Sequence, residues 1–494
     1  MAFRHLSVVV ALLCSLFALA GCRGRGSSSG SPSISGAGGN NRSPAYPLKV
    51  STNKRYLVDQ NGIPTLVIGD GGCCELSQLG SSDWDFYITD RASKGMNAVW
   101  AFVLCGSVNK DGTNGCRSDL STYDGIKPFT SGTDQTNYDV STPNPTYWAR
   151  VDSYIEDAAT RGVQVLFLTW DAAGLMPLAT FNGNTKMFNF GVFLGNRYKN
   201  FPNIIWWTGN DFQTWTTGLE NGTSNAATAA ANNAAMQNLM AGIASVDTNH
   251  LHVTELNYDV STSADDSGLA TYTTVEGLYD YFCPYSKAYK DYNNASRPLF
   301  FDEGFYEYGV YGNINGTKVT VSTKNVRTQQ YWLALSGSMA GFVYGNGLIG
   351  LVPANWKSHL STPGSRQLTY LTNFFKTVPW QNLVPDQSHE LVTAGYGTQN
   401  TTDTDGNCIN DNNYVTTAFD GSTTLISYAP DSTTLTLALS KFSSHVMARW
   451  FDPTNGTYQT ASGSPFANSG TRNFATPGNN SAGDSDWVLV LTAQ

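Results

Sequence analysis

A repeated alternation of short apolar runs with helix-like stretches constrains this sequence more than any other feature. After a hairpin pattern around Asn61-Gly62, eight apolar runs follow, namely TLVIGD, NAVWAFVLC, VQVLFLTW, IIWWTGND, LHVTELN, EGLYDYFCPY, RPLFFDEG and GFVYGNG. Strands that alternate with helices form a parallel sheet, and eight units over residues 47–379 match the count and size of a (β/α)8 TIM barrel. A doubly wound open sheet is the alternative, but no G-x-G-x-x-G opens the first helix.

The pattern changes after about Trp380. Segments rich in Thr, Ser and Asn, such as NNYVTTAFDG, TTLISYAP and SDWVLVLTAQ, alternate apolar and polar residues with a period of two. Short strands separated by Gly, Pro and Asn turns are typical of an antiparallel β-sandwich, which we expect over residues 380–494.

The N-terminus predicts export. Residues 1–21 contain Arg4 and His5 followed by a short apolar stretch, as in a secretory signal peptide. The sequence Leu-Ala-Gly-Cys that ends at Cys22 resembles the lipobox of bacterial lipoproteins, so we expect lipidation of Cys22 and anchoring in the cell envelope or at the cell surface. Residues 22–46 are rich in Ser and Gly and would form a flexible tether. An ordinary cleaved signal is the alternative.

Cysteine usage fits an exported chain, in which disulfides are permitted. Cys105 and Cys116 flank a Gly/Asn-rich loop that a bridge could close, although sequence alone leaves the pairing open. The chain has no CxxC pair and no HExxH motif, so we expect no zinc site.

The balance of charge and aromatic residues limits the partners. The net charge is -9 with only 14% charged residues, which argues against a nucleic-acid partner because no basic surplus is present. Aromatic residues make up 12% of the chain, and their flat apolar faces beside hydrogen-bonding tips suit a neutral polar ligand such as a sugar.

In a TIM barrel the functional groups lie where strands end, on one face. The strand ends predicted here are dominated by acids, amides and aromatic residues. Asp70 could bind a sugar hydroxyl, and a role in forming the turn is an equally good interpretation. The residues expected to contact substrate are Asp70, Trp170, Asn210, Glu255, Asn257, Tyr285, Tyr344 and Asn346.

Two carboxylates at the ends of strands four and seven predict glycosidase chemistry, in which one acid protonates the leaving oxygen and the other attacks the anomeric carbon or activates water. Asp211 follows two tryptophans, whose desolvation would raise its pKa as a general acid requires, so Glu303 would be the nucleophile. We expect the Asp302 side chain to point to the opposite side of the strand. Glu307 is a second candidate for the catalytic glutamate. A turn-forming Asp211 is the competing interpretation.

Several motifs together resemble the apiosidase-like glycoside hydrolases. In this family the catalytic barrel is usually followed by a β-sandwich that is described as a collagen-binding domain. They are PLKVSTNKRYLVDQNGIPTLVIGD, DRASKGMNAV, LGNRYKNFPNIIWWTGND, RPLFFDEGFYE, GFVYGNG and LVPDQS. The resemblance implies a retaining exo-glycosidase with Asp211 as acid/base and Glu303 as nucleophile. It also implies release of apiose from side chains of the pectin rhamnogalacturonan II.

The sequence departs from this family around the acids. GGCCEL follows Asp70 where the family usually has Asp-Thr-Ala-Trp, and Gly-Asn-Asp replaces Gly-Gly-Asp at the end of strand four. Glu255 and Asn257 stand where a Thr-x-His-Pro-like segment is frequent, and FDEGF replaces Gly-Glu-Pro. The two acids are retained, whereas the residues expected to surround the sugar are not.

The leading hypothesis is a retaining glycoside hydrolase acting on plant cell-wall or related glycans. It needs no cofactor, since two carboxylates and a water complete the cycle. A surface-tethered glycan-binding protein without catalysis is the alternative. A matrix adhesin that works through the C-terminal sandwich is a third hypothesis.

Overall fold

The computed structural model describes residues 43–106, 116–212, 226–257, 262–281, 283–294, 296–312, 318–350, 352–400 and 413–494. The expected signal peptide, most of the tether and Cys22 lie outside these ranges. Among the described helices, none is long and apolar enough to cross a membrane.

Eight parallel strands form a closed barrel, which confirms the predicted TIM-barrel fold. Strand eight closes the ring, because it pairs with strand one on one side and strand seven on the other. Barrel strands one to eight are Val67–Gly71, Ala98–Phe102, Gln164–Asp171, Ile204–Gly209, His252–Thr254, Val275–Tyr279, Leu299–Glu303 and Gly341–Asn346.

Helices follow the barrel strands and cover the outside of the ring. Where they begin, side chains cap free backbone N–H groups, as Asn144 and Thr362 do at two prolyl N-termini. The helices are Glu75–Gln78, Ser81–Ser93, Pro145–Thr160, Ala172–Tyr198, Ala226–Ala244, Ser267–Ala270, Pro284–Asn294, Thr323–Leu335, Trp356–His359 and Pro363–Lys376, with 3-10 turns at Ser263–Asp265 and Trp380–Asn382.

Successive side chains of each barrel strand belong to two different cores. Leu166, Trp207 and Phe300 fill the inside of the barrel, whereas Phe167 and Trp206 pack outward against the helices. Because both faces are buried, the strands are nearly continuous apolar runs. A small antiparallel sheet of Lys49–Val50, Leu57–Val58 and Pro64–Thr65 precedes strand one, and its Leu57 joins the inner core.

Short strands lie beyond the C-terminal end of barrel strand seven. Tyr306–Glu307 pairs in parallel with strand eight, and Val310–Gly312 forms a hairpin with Lys318–Thr320.

The C-terminal part contains two antiparallel sheets, as predicted for a β-sandwich. Leu425 and Leu489 on one sheet and Leu437 on the other belong to one apolar core between them. One sheet has the order Val384–Pro385, Thr416–Phe419, Thr424–Ala429, Trp487–Ala493, Val446–Phe451 and Tyr458–Thr460, and the other has Val392–Ala394, Thr434–Ala438 and Thr471–Ala475.

A buried ion pair joins the barrel to the sandwich. Arg327, on the helix Thr323–Leu335, donates to Asp486 at 2.7 and 2.8 Å and to Asp484 at 2.8 Å. Asp486 is fully buried and also accepts from the Tyr428 hydroxyl at 2.9 Å. The guanidinium therefore neutralises a carboxylate that water cannot reach.

Removing this guanidinium should destabilise the whole chain. We expect Arg327→Ala to lower the free energy of unfolding by about 3–5 kcal/mol, because Asp486 is left buried without its cation. Lys324→Ala is the matched control on the same helix: its ion pair with Asp431 is partly exposed to solvent, so its loss should lower stability by less than about 1 kcal/mol. Urea unfolding followed by tryptophan fluorescence measures both, and equal effects would contradict the argument.

Candidate active site

The turn after strand four has an unusual backbone conformation. Gly209, Asn210 and Asp211 have φ values of 128°, 67° and 58°, so three successive residues lie on the positive side. A Cβ on Gly209 would approach the Glu255 carbonyl oxygen to 2.1 Å, which excludes other residues there. Left-handed Asn and Asp residues are uncommon, and such strain is concentrated at functional sites.

Asp211 lies at the end of this turn and is partly buried. Burial raises the pKa of its carboxyl group to about 6, although hydrogen bonds with Tyr279 and Asn257 act in the opposite direction. Asp211 is thus held by the ends of strands five and six.

Glu303, the last residue of strand seven, is 8% exposed. Its Oε1 accepts from the Tyr281 hydroxyl at 3.0 Å, and Tyr306 and Glu255 also hydrogen-bond its carboxyl group. Burial and the charge of Asp211 raise the pKa of Glu303 to about 8. The electrostatic interaction with Asp211 shows that the two predicted catalytic acids lie in one desolvated cluster.

Glu255 is the third acid of the cluster and is fully buried. Its Oε2 accepts from the Trp207 indole N–H at 3.0 Å, whereas its Oε1 receives no hydrogen bond from a donor among the described residues. Burial and the charge of Glu303 raise the pKa of Glu255 well above its usual range. Because two carboxylates repel, the contact of Glu255 with Glu303 requires a proton between them.

Asp302 is a fourth buried acid. Its Oδ1 accepts from the backbone N–H of Glu303 at 3.0 Å, and its Oδ2 lies against Gly277 of strand six. Burial, followed by the charge of Glu303, raises the pKa of Asp302 well above its usual range. Among the described residues, no Lys, Arg or His forms an ion pair with Asp211, Glu255, Asp302 or Glu303.

The amide of Asn210 fixes the turn from the other side, since its Nδ2 donates to Asp171 Oδ1 at 3.3 Å. Asp171 also caps the helix Ala172–Tyr198 through the N–H of Gly174 at 3.3 Å. Asn210, Glu255 and Asn257, three of the predicted substrate-binding residues, therefore lie with the two acids.

Three other residues predicted to contact substrate face away from this cluster and hydrogen-bond to helices and loops around the barrel. Asp70 accepts from the Tyr87 hydroxyl at 2.6 Å and from Arg91 at 3.3 Å, so both its oxygens are occupied in the core. Tyr344 donates to Glu307 and contacts Thr362 at 2.8 Å. Asn346 donates to the carbonyl of His359 at 3.0 Å and accepts from the N–H of Leu348 at 3.0 Å.

Trp170, Tyr285 and the reserve acid Glu307 also lie apart from the cluster. Trp170 packs in the outer core, with its ring 6.1 Å from that of Phe190. Tyr285 is not at the end of strand six, which finishes at Tyr279, but on the following helix, where its ring lies 4.6 Å from Tyr414 of the sandwich. Glu307 accepts from Thr323 at 2.6 Å and from the N–H of Gly364 at 3.0 Å.

Sequence reasoning missed four side chains of the cluster. Tyr279 and Tyr281 at the end of strand six and Tyr306 after strand seven hydrogen-bond the acids. Cys73 lies near Glu75, Glu303, Asp171 and Glu255, whose charges, after burial, raise its pKa. The tyrosines stand in EGLYDYFCPY and FDEGFYE, at predicted strand ends, so the sequence could have identified them as hydrogen-bond donors to the acids. Nothing in the sequence distinguished Cys73 from the other cysteines.

Cys74, Cys105 and Cys116 form a buried group after strands one and two. Cys116 is within disulfide range of both others, with Cα–Cα distances of 5.9 Å to Cys74 and 5.5 Å to Cys105, and the sulfurs of Cys74 and Cys105 are 3.0 Å apart. Since Cys116 can form only one such bond, a disulfide of Cys116 within the trio leaves the third cysteine outside it. These sulfurs lie within 4.8 Å of one another and are the described residues that could hold a metal.

Comparisons with known proteins agree with the fold. Residues 51–382 match the family described as "Apiosidase-like, catalytic domain", and residues 404–492 match "Putative collagen-binding domain of a collagenase". No curated protein matches the chain in sequence.

Two solved structures share the whole architecture. A glycoside hydrolase family 5 protein from Bacteroides vulgatus has a TM-score of 0.72 at 21% identity, covering 90% of this chain and 93% of its own. A second glycoside hydrolase has a TM-score of 0.72 at 21% identity, covering 91% of this chain and 97% of its own. Fold and site thus define a glycoside hydrolase-like TIM barrel with a C-terminal β-sandwich. The chain belongs to the apiosidase-like family, whose catalytic-domain model spans two thirds of it.

Glu303 should make stability depend on pH. Its pKa is about 8 in the folded chain against 4.5 in the unfolded one, so the folded state holds a proton that the unfolded state releases, and stability falls as pH rises from about 4.5 to 8. Glu303→Gln removes this loss and should be more stable than the wild type by up to about 3 kcal/mol at pH 7, with little difference at pH 4.

Thermal unfolding of both chains between pH 4 and pH 8 measures this effect. The exposed Glu156→Gln serves as the matched control and should follow the wild type throughout. A constant difference between Glu303→Gln and the wild type across the window would contradict the assignment.

The cysteine trio predicts a specific peptide map. Alkylation of the unreduced, denatured protein followed by digestion should yield Cys116 linked to either Cys74 or Cys105, with the remaining member of the trio and Cys73 alkylated. A disulfide to Cys73, or three alkylated members of the trio, would contradict this arrangement.

Proposed function

We propose that the chain is a retaining glycoside hydrolase in which Asp211 is the general acid/base and Glu303 the nucleophile. The observation that supports it is the cluster itself: two electrostatically coupled acids close strands four and seven in a desolvated site provided with tyrosine and amide donors. A pair of carboxyl groups flanking the bond is the equipment that glycoside hydrolysis requires.

The hydrogen bonds support this division of roles. Burial and the charge of Asp211 raise the pKa of Glu303, whereas its hydrogen bonds with Tyr281, Tyr306 and Glu255 lower the pKa and so favour the ionised form. Its pKa of about 8, above that of Asp211, includes the repulsion by an ionised Asp211. A single proton on Asp211 removes that repulsion, and Glu303 then ionises more readily. At rest the pKa values, about 8 for Glu303 and about 6 for Asp211, place the proton on Glu303, so the competent state arises when this proton moves to Asp211 and leaves the charge on Glu303.

The reaction proceeds in two displacements. A carboxylate oxygen of Glu303 attacks the anomeric carbon while Asp211 gives its proton to the leaving oxygen, and the glycosidic bond breaks. Water then attacks the resulting glycosyl ester, Asp211 accepts the water proton, and Glu303 leaves as the carboxylate. Glu255 keeps its proton, donates a hydrogen bond to the Glu303 carboxylate and thereby positions the nucleophile.

The substrate class follows from the family and from the composition of the site. We infer that the enzyme acts on plant cell-wall or related glycans, with release of apiose from pectin side chains as the first candidate reaction. The family description supports apiose, and the tyrosine-rich walls suit a neutral sugar. The altered residues around the acids, such as Cys73 and Glu255, would adapt the pocket to a different sugar or linkage.

We also infer that the protein is exported and anchored through a lipid on Cys22. The motif that ends at Cys22 and the Ser/Gly-rich tether after it support this location. Metabolic labelling with a fatty acid should mark the wild type and not Cys22→Ala, and equal labelling of both would contradict it.

Rescue by azide distinguishes the two catalytic roles. Glu303→Ala should lower kcat by at least about 10³-fold and Asp211→Ala by about 10²–10⁴-fold, because nucleophile and proton donor are lost. Azide should then yield a glycosyl azide of inverted configuration from Glu303→Ala and of retained configuration from Asp211→Ala, as NMR of the products would show. The reverse pattern would exchange the roles.

The assay uses the mature chain on a panel of plant polysaccharides that includes rhamnogalacturonan II, with Glu156→Ala as the control that keeps full activity. Free apiose would support the finer specificity, and another sugar would replace it. Unchanged turnover by folded Glu303→Ala would overturn the mechanism. Binding without any product, in the wild type as in Asp211→Asn, would favour the glycan-binding protein.

A further inference from the structure

A cavity of about 210 Å³ lies between the end of the last barrel helix and the outer face of the larger sandwich sheet. It has room for about seven water molecules, which is the size of one monosaccharide rather than of a long ligand. Its walls are formed by Thr377, Val378, Pro379, Thr424, Arg449, Tyr458, Val490 and Thr492.

Arg449 gives this cavity its charge. Its guanidinium lies 4.5 Å from the centre of the Tyr458 ring, and its Nε is buried without a hydrogen-bond acceptor among the described residues. No ion pair of Arg449 occurs within the described parts of a chain whose net charge is -9. An arginine with a desolvated, unsatisfied N–H favours a carboxylate or another planar anion.

The other walls suit the remainder of a saccharide. Thr377, Thr424 and Thr492 place hydroxyl groups around the cavity, and Tyr458 is 38% exposed although Arg449 and Phe451 contact its ring. Hydroxyl groups can hydrogen-bond sugar hydroxyls, and the exposed part of an aromatic ring can contact the apolar face of a pyranose. No wall residue is acidic, so nothing in the cavity repels a carboxylate.

The cavity is remote from the acid cluster. In a TIM barrel each helix runs back from the catalytic face, so the end of the helix Pro363–Lys376 lies at the opposite face from Asp211 and Glu303. Thr377, Val378 and Pro379 follow this end directly. A ligand here would be held by the protein without reaching the catalytic acids.

We propose that this cavity is an accessory binding site for a carboxylate-bearing sugar, a uronate residue of a glycan, which Arg449 recognises. The choice of a saccharide as the ligand rests on the proposed glycosidase function, whereas the choice of a carboxylate-bearing one rests on Arg449 alone. The site would retain an acidic polysaccharide at the domain junction while the barrel acts on another part of it.

The test is calorimetric titration of the full mature chain with trigalacturonate. The matched ligand control is its methyl ester, which has the same sugars without charge. The matched protein control is Arg472→Gln, an exposed arginine that stacks on Phe466 elsewhere in the same sandwich. We expect trigalacturonate to bind the wild type and Arg472→Gln alike, to bind Arg449→Gln at least 10-fold more weakly, and the methyl ester not to bind.

Several outcomes would overturn the proposal. They are equal binding by Arg449→Gln, equal binding of the methyl ester, displacement of the trimer by acetate at the same concentration, or binding only of an acidic collagen-like peptide in place of the trimer. Hydrolysis is measured separately on the same preparations. Binding that depends on Arg449 in a chain without hydrolytic activity would overturn the proposed function and keep the site, whereas hydrolysis without such binding would do the opposite.

Discussion

The repulsion among four carboxyl groups, three of them buried and Asp211 partly buried, is the constraint on which the C-terminal end of this barrel depends. Asp211, Glu255, Asp302 and Glu303 are coupled to one another, and within the described chain no cation is paired with any of them. They can be buried together only if protons and neutral donors replace the missing positive charge. The tyrosines 279, 281 and 306, the indole of Trp207 and the amide of Asn257 provide those donors. The strained turn from Gly209 to Asp211 places one acid among the others despite the repulsion.

The barrel itself could be predicted because burial of both faces of a parallel strand leaves a strong trace in the sequence. Each of the eight apolar runs coincides with an observed strand, and two acids placed at the ends of runs four and seven, Asp211 and Glu303, lie in one cluster. The antiparallel sandwich was equally visible, since one-sided burial produces a period of two. These features depend on local pattern, which the sequence contains in full.

The direction of a side chain at a strand end depends on where the strand stops, and the sequence shows this poorly. Asp70 and Tyr344 belong to strands one and eight but face the helices, where they bind Arg91 and Glu307. Tyr285 was placed at the end of strand six, whereas that strand ends at Tyr279 and a helix begins at Pro284. Polar residues near strand ends thus divide into two sets: some line the pocket, and others hydrogen-bond to the surrounding helices and loops. A shift of the strand end by one residue moves a side chain from one set to the other.

The shared protons also explain why such a costly cluster suits the proposed chemistry. Hydrolysis by two carboxyl groups requires that one be neutral while the other is charged, and that the proton change places during the cycle. A site in which only some of the acids can ionise together imposes this condition before any substrate binds. With Glu255 and Asp302 neutral, the remaining charge lies between Asp211 and Glu303, and the proton on either one decides the state of the other. Burial of the acids therefore does more than exclude water: it couples the two groups whose protonation states must alternate.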